Sequence, residues 1–408
     1  MQRANERMVS VHLTHDGDYL GPLGPFEVAG GWWSSAAPVV EQVTALVGVP
    51  VVVVRLAEVA EGGGGHGGHV VYHAEALERP TALEPRPPQA ETAALLGPAE
   101  RRAGWATPSG LREALDWAEQ ALRQAGRPAA GRAEQVRTWN LSGLFRFTTP
   151  GGDAWLKAIN PAFNARESEV IALLRTVDPT LVPSVLAADP ERGRLLLDHV
   201  PGEDCWGPSA EAVADVLPRL VAAQAALAAD GRAAAAGLPD RTPAALVGRV
   251  RTLLDRPEAT AELTAEELAA ARALADRLPA LVEELAACGL PETLVHGDFH
   301  PGNWRSDGRN TVVVDYADSC FGHPALDGLR PRQYVSEERW GQIAEVWAQA
   351  WRRHAPGSDP ERALELVEPL YHLSYAVRYQ EFLDHVETSE RPYHEGDPVN
   401  EIRAALAR

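Results

Sequence analysis

The sequence predicts an α+β chain of two lobes, one small and β-rich and one helical, with an additional α+β module ahead of them. Three observations predict it. Residues 135–200 alternate short apolar runs with turn signals. Residues 201–408 are mostly long stretches with helical spacing. One strand–loop–hairpin stretch, Thr293 to Asp327, interrupts those helices with a dense set of polar residues. The expected divisions are therefore 1–134, 135–200 and 201–408. A chain of 408 residues, 45% of them apolar, has room for two or three domains and a sizeable core.

In the first division Met8 to Thr14 alternates weakly as a strand, and Asp16-Gly17-Asp18 turns it. Val39 to Val47 has helical spacing, and Val49 to Leu56 is a β-branched strand. The glycine run Gly62 to Gly68 is a hairpin connection leading into a strand from His69 to Leu77. Without a helix and a lysine behind it, such a run makes a poor phosphate cradle. Pro80 to Pro98 reads as a linker. Ser109 is the expected cap of a helix reaching Gln124, with Leu111, Leu115, Ala118 and Leu122 as its apolar stripe.

From Gln135 the pattern becomes strand, loop, strand. Trp139 to Gly143 separates Val136-Arg137 from Leu144 to Thr148, and Pro150-Gly151-Gly152 turns into the strand Ala154 to Ile159. A helix from Ala165 to Val177 follows, then strands over Leu181 to Ala187 and Arg194 to Val200. Ala210 to Ala229, Ala244 to Leu254 and Ala265 to Ala287 are expected helices beneath the central stretch. Glu337 to His354 and Pro360 to Val386 are two more, the second kinked or split at Pro369. Leu366, Leu370, Leu373 and Val377 form its core stripe.

The central stretch carries the chemistry. In His296-Gly297-Asp298-Phe299-His300-Pro301-Gly302-Asn303 the two glycines and the proline force a loop. Ser306-Asp307-Gly308 is a turn, and Thr311 to Val314 is a strand that ends in Asp315. A phosphoryl transfer needs a carboxylate to orient and deprotonate the attacking hydroxyl, and hard oxygen ligands for Mg²⁺. Asp298 suits the first role, and Asn303 and Asp315 suit the second. Asp298 and Asn303 are five apart, the spacing of H-R-D-x-x-x-x-N in the kinase catalytic loop. Taken singly, Asp298 could cap a turn and Asp315 could end a strand toward solvent. His296 and His300 share no helical face and no four-ligand zinc set clusters here, so His296 is expected to brace the loop. Asp327 is expected to hold the loop in place.

The stretch resembles the signature of the aminoglycoside phosphotransferase and choline kinase family: H-G-D-x-H-x-x-N, a strand with I-D-W/Y, then G-x-P-x-x-D. Here the pieces are His296 to Asn303, Val314-Asp315-Tyr316, and Gly322-His323-Pro324 to Asp327. The resemblance covers roughly residues 135 to 387 and implies a bilobal protein-kinase-like fold. It implies ATP- and Mg²⁺-dependent transfer of the γ-phosphoryl group to a hydroxyl of an aminoglycoside-, amino-sugar- or amino-alcohol-like acceptor. By that resemblance Asp298 acts on the acceptor hydroxyl, and Asn303 and Asp315 hold Mg²⁺. Lys157 holds the α/β-phosphates, and Glu167, which faces inward with Ile171 and Leu174 at i+4 and i+7, is chosen to position it, with Glu169 as the fallback. The 139–143 loop covers the phosphates with its amides and the Ser142 hydroxyl, and backbone groups of Asp198 to Val200 bind the adenine edge. C-terminal helices hold the acceptor, with Tyr375, Glu381 and Asp384 as the competing candidates; the stripe Tyr371, Tyr375, Arg378 and Phe382 reads first as core. A catalytically silent nucleotide-binding regulator is the alternative, and a metal-dependent hydrolase the third reading. ATP or GTP as donor, and antibiotic resistance or primary metabolism as setting, stay open.

Composition narrows the partners. A net charge of −19 argues against nucleic acid and anionic membrane surfaces and suits a cationic acceptor. Cys205, Cys288 and Cys320 are scattered, so neither a disulfide framework nor metal-ligand spacing appears. With no leader pattern and no apolar run near spanning length, the expectation is a cytoplasmic protein. Lys157 is the only lysine, and the other 37 basic residues are arginine. A position that keeps an ammonium against that bias points to a need for a compact charge. Because Ala158 follows it, the chain holds no G-x-x-x-x-G-K-[ST] loop.

Overall fold

The computed structural model describes residues 6–164 and 166–408. The chain divides into two compact units. The first comprises Met1–Ala165, Val185–His199 and Phe382–Glu395; the second comprises Arg166–Ser184, Val200–Glu381 and Gly396–Arg408.

The first unit holds two sheets. β1 (Glu6–His15), β2 (Asp18–Ala29), β3 (Val51–Gly63) and β4 (His66–Ala76) form one, in the order β2-β1-β4-β3. β1 pairs antiparallel with β2 and parallel with β4, and β3 and β4 form a hairpin. That hairpin extends into the glycine run and turns at Gly64 and Gly65, both at positive φ, which glycine adopts without steric cost. Helix α1 (Ala37–Val47) puts Val39, Val43 and Val47 into a core with Trp33, Tyr72 and the inner side of this sheet.

Beyond a short helix α2 (Ala90–Leu96), α3 (Pro108–Gln124) buries Leu111, Ala114, Ala118 and Leu122. Its N-cap is Thr107, whose hydroxyl accepts from Gly110 N, rather than the expected Ser109. Pro108 explains the difference: its fixed φ suits the first helical position, which moves the cap one residue ahead of it. The second sheet runs β5 (Glu134–Thr138), β6 (Ser142–Phe147), β7 (Ala154–Ile159), β9 (Arg194–Asp198), β8 (Val185–Asp189), and the four-residue α4 (Pro161–Asn164) follows β7 in the chain. Val52 and Val54 of β3 share one apolar cluster with α3 and with Phe145, Phe147 and Leu156 of this sheet. The Gln135 side chain also bonds both the amide and the carbonyl of Val53, at 2.7 Å each. The N-terminal module and the second sheet are therefore one packed body. Residues 382–395 complete it: Glu390 Oε1 accepts from Leu56 N at 2.9 Å, and Glu387 forms ion pairs with Arg102 and the buried Arg55.

The second unit is mostly helical. α5 spans Glu167–Arg175; Ala165, the expected helix start, lies outside the described residues. α6 (Ala210–Ala229) follows the two-residue β10 (Glu203–Asp204). α6 is long and apolar enough by length and composition to cross a membrane, contrary to the expectation of no such run. Half of it is buried inside the fold, and its buried Gln224 binds Asp327 and the Leu294 carbonyl, which are the contacts of a core helix. α7 (Arg232–Ala235), β11 (Asp240–Arg241), α8 (Pro243–Leu254), α9 (Pro257–Thr260) and α10 (Ala265–Ala287) come next. β12 (Thr293–Val295), β13 (Trp304–Ser306), β14 (Thr311–Val313) and β15 (Cys320–Gly322) make two small sheets, β10-β13-β14 and β11-β15-β12. α11 (Ala325–Leu329), α12 (Glu337–His354), α13 (Pro360–His385) and α14 (Asp397–Leu406) end the chain. α13 runs unbroken through Pro369, so the expected split does not occur. Pro369 removes one rung, and the buried Leu366, Leu370 and Leu373 around it hold the helix together.

Candidate active site

The central loop is fixed by three side chains, each bonding different backbone groups. Asp327, fully buried on α11, accepts from His296 N at 2.8 Å and Gly297 N at 3.0 Å. Burial raises its carboxyl pKa against the opposing effect of His296 and these amides. The His296 ring accepts from Asp298 N through Nδ1 at 3.1 Å, which leaves the Nε2 proton for the Val314 carbonyl, also at 3.1 Å. Tyr375 donates its hydroxyl to the Gly297 carbonyl at 2.5 Å. Gly297 sits at φ +86°, and a Cβ there would meet the Asp318 carbonyl at 2.2 Å, so the turn requires glycine. His296 and Asp327 thus hold the loop as their positions suggested, and Tyr375 does the same from α13.

Asp298, Asn303 and Asp315 are brought to one place by backbone pairing. The Asn303 carbonyl accepts from Val314 N at 2.9 Å, extending the β13–β14 ladder by one step toward Asp315. The Asn303 Nδ2 donates to the Asp298 carbonyl at 2.9 Å and to Asp298 Oδ2 at 3.3 Å. With its nitrogen committed to the loop, Asn303 keeps its amide oxygen for a hard cation. Asp315 lies at φ +64°, a left-handed conformation that aspartate tolerates better than most residues. The next amide, Tyr316 N, is held by Glu167 Oε1 at 3.1 Å. An exposed carboxylate on a braced kink beside an amide oxygen is a donor set that fits Mg²⁺.

Sequence reasoning missed Arg330. Its Nε and Nη2 both lie 2.8 Å from Asp298 Oδ1, and its Nη1 bonds Gln333 Oε1 and Tyr371 Oη at 2.9 Å. The rings of Tyr334 and Tyr375 face the guanidinium carbon at 4.9 and 4.4 Å, within cation–π range. Burial pushes the Asp298 carboxyl up, but Arg330, with His300 and His296, outweighs it and holds the group well below the usual carboxylate range. The available signal was spacing: Arg330 follows Asp327 by three residues on one short helical segment, so both side chains can reach the same loop. His300 approaches Asp298 Oδ2 to 3.4 Å and stacks on both Tyr334 and the exposed Trp206, which also meet each other.

The remaining expected positions fall as follows. Lys157 is nine-tenths buried on β7, between Leu144 of β6 and Leu195 of β9. The 139–143 segment is a tight turn in which Trp139 N donates to the Ser142 carbonyl and Trp139 Nε1 to the Ser142 hydroxyl. Asp198 accepts from Arg127 at 2.9 Å and from His199 N at 3.0 Å; His199 N also faces the Asp153 carbonyl at 3.2 Å. The Val200 carbonyl accepts from Arg305. Several polar groups expected to face adenine are therefore engaged within the protein. Away from these positions, His15, Asp16 and Glu75 lie within 4.8 Å of one another, but Arg112 already pairs with both acids.

Residues 140–366 match the model of the phosphotransferase enzyme family. No curated protein sequence matches the chain. Among solved structures, a macrolide 2'-phosphotransferase type I is similar with a TM-score of 0.50 at 16% identity, over 72% of this chain and 97% of that one. A macrolide 2'-phosphotransferase from Brachybacterium faecium gives 0.47 at 21% identity, over 70% and 97%. Choline kinase from Cryptosporidium parvum gives 0.47 at 14%, over 67% and 88%. The expected protein-kinase-like α+β class is the fold of this chain, and residues 1–139 lie outside the matched stretch.

Proposed function

Because the chain belongs to the phosphotransferase enzyme family, we propose that it is an ATP- and Mg²⁺-dependent kinase that phosphorylates a hydroxyl of a small molecule. One observation carries the reading: Asp298, Asn303 and the Asp315 kink share one hydrogen-bonded framework, with the Asn303 amide oxygen left for a cation. Bound Mg²⁺–nucleotide would bring the phosphoryl group and neutralise its developing charge. The residues supply the rest. Asp298 orients the acceptor hydroxyl through Oδ2, its Oδ1 being held by Arg330. Asn303 and Asp315 are the metal ligands. Lys157 takes the α/β-phosphates with Glu167 as its positioning carboxylate, Ser142 adds a phosphate contact, and the 198–200 segment meets the adenine edge through backbone groups other than the engaged His199 N and Val200 carbonyl. The three cysteines are free thiols, two of them buried, which suits work in the reducing cytoplasm.

The test is ADP release from Mg²⁺–ATP over a panel of amino sugars, aminoglycosides, amino alcohols and hydroxy acids, with the phosphorylated product identified by mass. Turnover with one acceptor, abolished in Asp298→Ala while nucleotide still binds, is the expected result. Nucleotide binding without transfer to any acceptor would favour the silent regulator, and full turnover by Asp298→Ala would end the assignment.

A further inference from the structure

A single exposed apolar side chain needs no explanation of its own. Trp206, 56% exposed, is set apart by how it is held. Its segment is pinned to the central loop. β10 pairs with β13 through Glu203 and Asp204, and Cys205 N donates to the Pro301 carbonyl at 3.0 Å and to the Trp304 carbonyl at 2.9 Å. The indole then lies on the loop itself: a Cβ at Gly302 would meet its six-membered ring at 2.3 and 2.4 Å. Gly302 sits in the short helical turn Pro301–Asn303 without a positive φ, so what glycine supplies there is room for the indole.

The ring neighbours of the indole belong to Asp298. Its centroid lies 5.3 Å from that of His300, at 29°, and 6.0 Å from that of Tyr334, at 48°. His300 Nδ1 accepts from Gly302 N at 3.0 Å, which turns Nε2 toward Asp298 Oδ2, 3.4 Å away. The Tyr334 ring lies 4.9 Å from the guanidinium carbon of Arg330, the residue that holds Asp298 Oδ1. One side chain, His300, thus joins an open aromatic surface to the carboxylate oxygen left for the acceptor. All of these residues lie in the second unit.

We propose that Trp206 selects the acceptor: a saturated ring, as in a sugar, lays its C–H face on the indole and points one hydroxyl at Asp298 Oδ2. The inference rests on the kinase reading and narrows its acceptor from any hydroxyl compound to a cyclic one. An indole is a broad, flat surface with two side-chain torsions, and here the loop already holds it, so covering it orders little more of the protein. An open-chain amino alcohol would lose its own rotor freedom and still leave much of that surface wet. A ring fixes the covered face and the direction of its hydroxyls together. That fixed direction is the positioning a transfer to Asp298 needs.

Binding of D-glucosamine, its reduced open-chain form D-glucosaminitol, kanamycin and choline to the full chain, by calorimetry with a Mg²⁺–ATP analogue present, tests it. The ring compounds should bind at least about fivefold tighter than the open-chain ones, the factor for one stacking contact of about 1 kcal/mol. Trp206→Leu, which keeps an apolar side chain without the flat face, should remove that preference. Trp206→Phe should keep part of it. Both variants should melt near the wild-type temperature, because the side chain is exposed, and both should bind the nucleotide analogue as the wild type does. Equal or tighter binding of the open-chain compounds, no binding of either ring compound, or a preference that survives Trp206→Leu would overturn the proposal. So would weakened nucleotide binding in Trp206→Leu with ring binding intact, which would give the indole to the nucleotide. The two readings fail separately. ADP release with choline at an acceptor KM unchanged by Trp206→Leu keeps the kinase and removes the role of Trp206; Trp206-dependent ring binding with no ADP release for any acceptor does the reverse.

Discussion

Two nitrogens of Arg330 converge on a single oxygen of Asp298, Oδ1, at 2.8 Å each, so the other oxygen, Oδ2, is the one left to His300, Asn303 and a substrate. The pairing keeps Asp298 anionic and aims it. A carboxylate held so far below its usual range is a weak proton acceptor, so its contribution is orientation and charge more than proton abstraction.

Removing that carboxylate should be severe. Asp298→Asn, which keeps the shape but removes the charge that orients the hydroxyl, is expected to lower kcat by about 10²-fold or more with little change in nucleotide affinity, measured by steady-state ADP release and by nucleotide titration.

Arg330→Met should move the acid limb of activity. In the wild type, Asp298 stays ionised through the ordinary carboxylate range near 4, so it sets no acid limb there. Without Arg330 the largest lowering influence is gone while burial, opposed only by His300 and His296, remains, so the limb should move up toward the ordinary carboxylate range near about pH 4. The linked stability has a definite sign. A depressed folded-state pKa gives stability present above the unfolded value and lost as pH falls through the folded one. The variant should therefore lose this contribution at neutral pH, by about 3 kcal/mol, as for one half of a buried pair. Activity and melting profiles against pH, with unchanged curves as the contrary result, decide it.

Lys157→Arg should not rescue function even though both residues are cationic. The forked group cannot replace a compact ammonium at a buried strand position. Loss of one charge-assisted contact of about 1.5–3 kcal/mol corresponds to a rise of about tenfold or more in the KM for ATP.

Gly297→Ala should damage the site through geometry alone. With φ at +86° and the Asp318 carbonyl 2.2 Å from the new Cβ, the loop must shift. A stability loss of about 1 kcal/mol or more, with a larger loss of kcat, is expected from chemical denaturation and kinetics on one preparation.

In the first unit, burial and the neighbouring Glu387 raise the Glu390 carboxyl to about 8. The folded state therefore binds a proton more tightly than the unfolded chain. The contribution is fully present below the unfolded pKa of about 4.3 and is lost as pH rises through 8. Glu390→Gln should flatten the decline of Tm between about pH 5 and 8; an unchanged slope would count against a proton on this group.

The legible parts of the site were those whose chemistry is local. His296, Asp298, Asn303, Asp315 and Asp327 lie within one stretch, and glycine, proline and β-branched runs fix how that stretch folds. Tyr375 was legible as a stripe position and as an acceptor-pocket candidate, but its bond to the Gly297 carbonyl depends on how α13 packs. Arg330 was readable only through its spacing, three residues after Asp327, and one arginine among 37 at such a spacing draws no notice until its contacts with Asp298 are seen. Thr107 was missed by two residues, since Pro108 displaces the cap. The docking of Glu390 on Leu56 was unreadable: the partners are 334 positions apart and neither lies in a periodic pattern that names the other.

The late return of residues 382–395 to the first unit means that the chain is woven, entering and leaving each body more than once. A fragment ending near residue 200 would keep both sheets yet lose the acids facing Arg55 and Arg102. A deletion series that trims the C-terminus would accordingly strike the second unit first, through Gly396–Arg408, and the N-terminal body next, through residues 382–395.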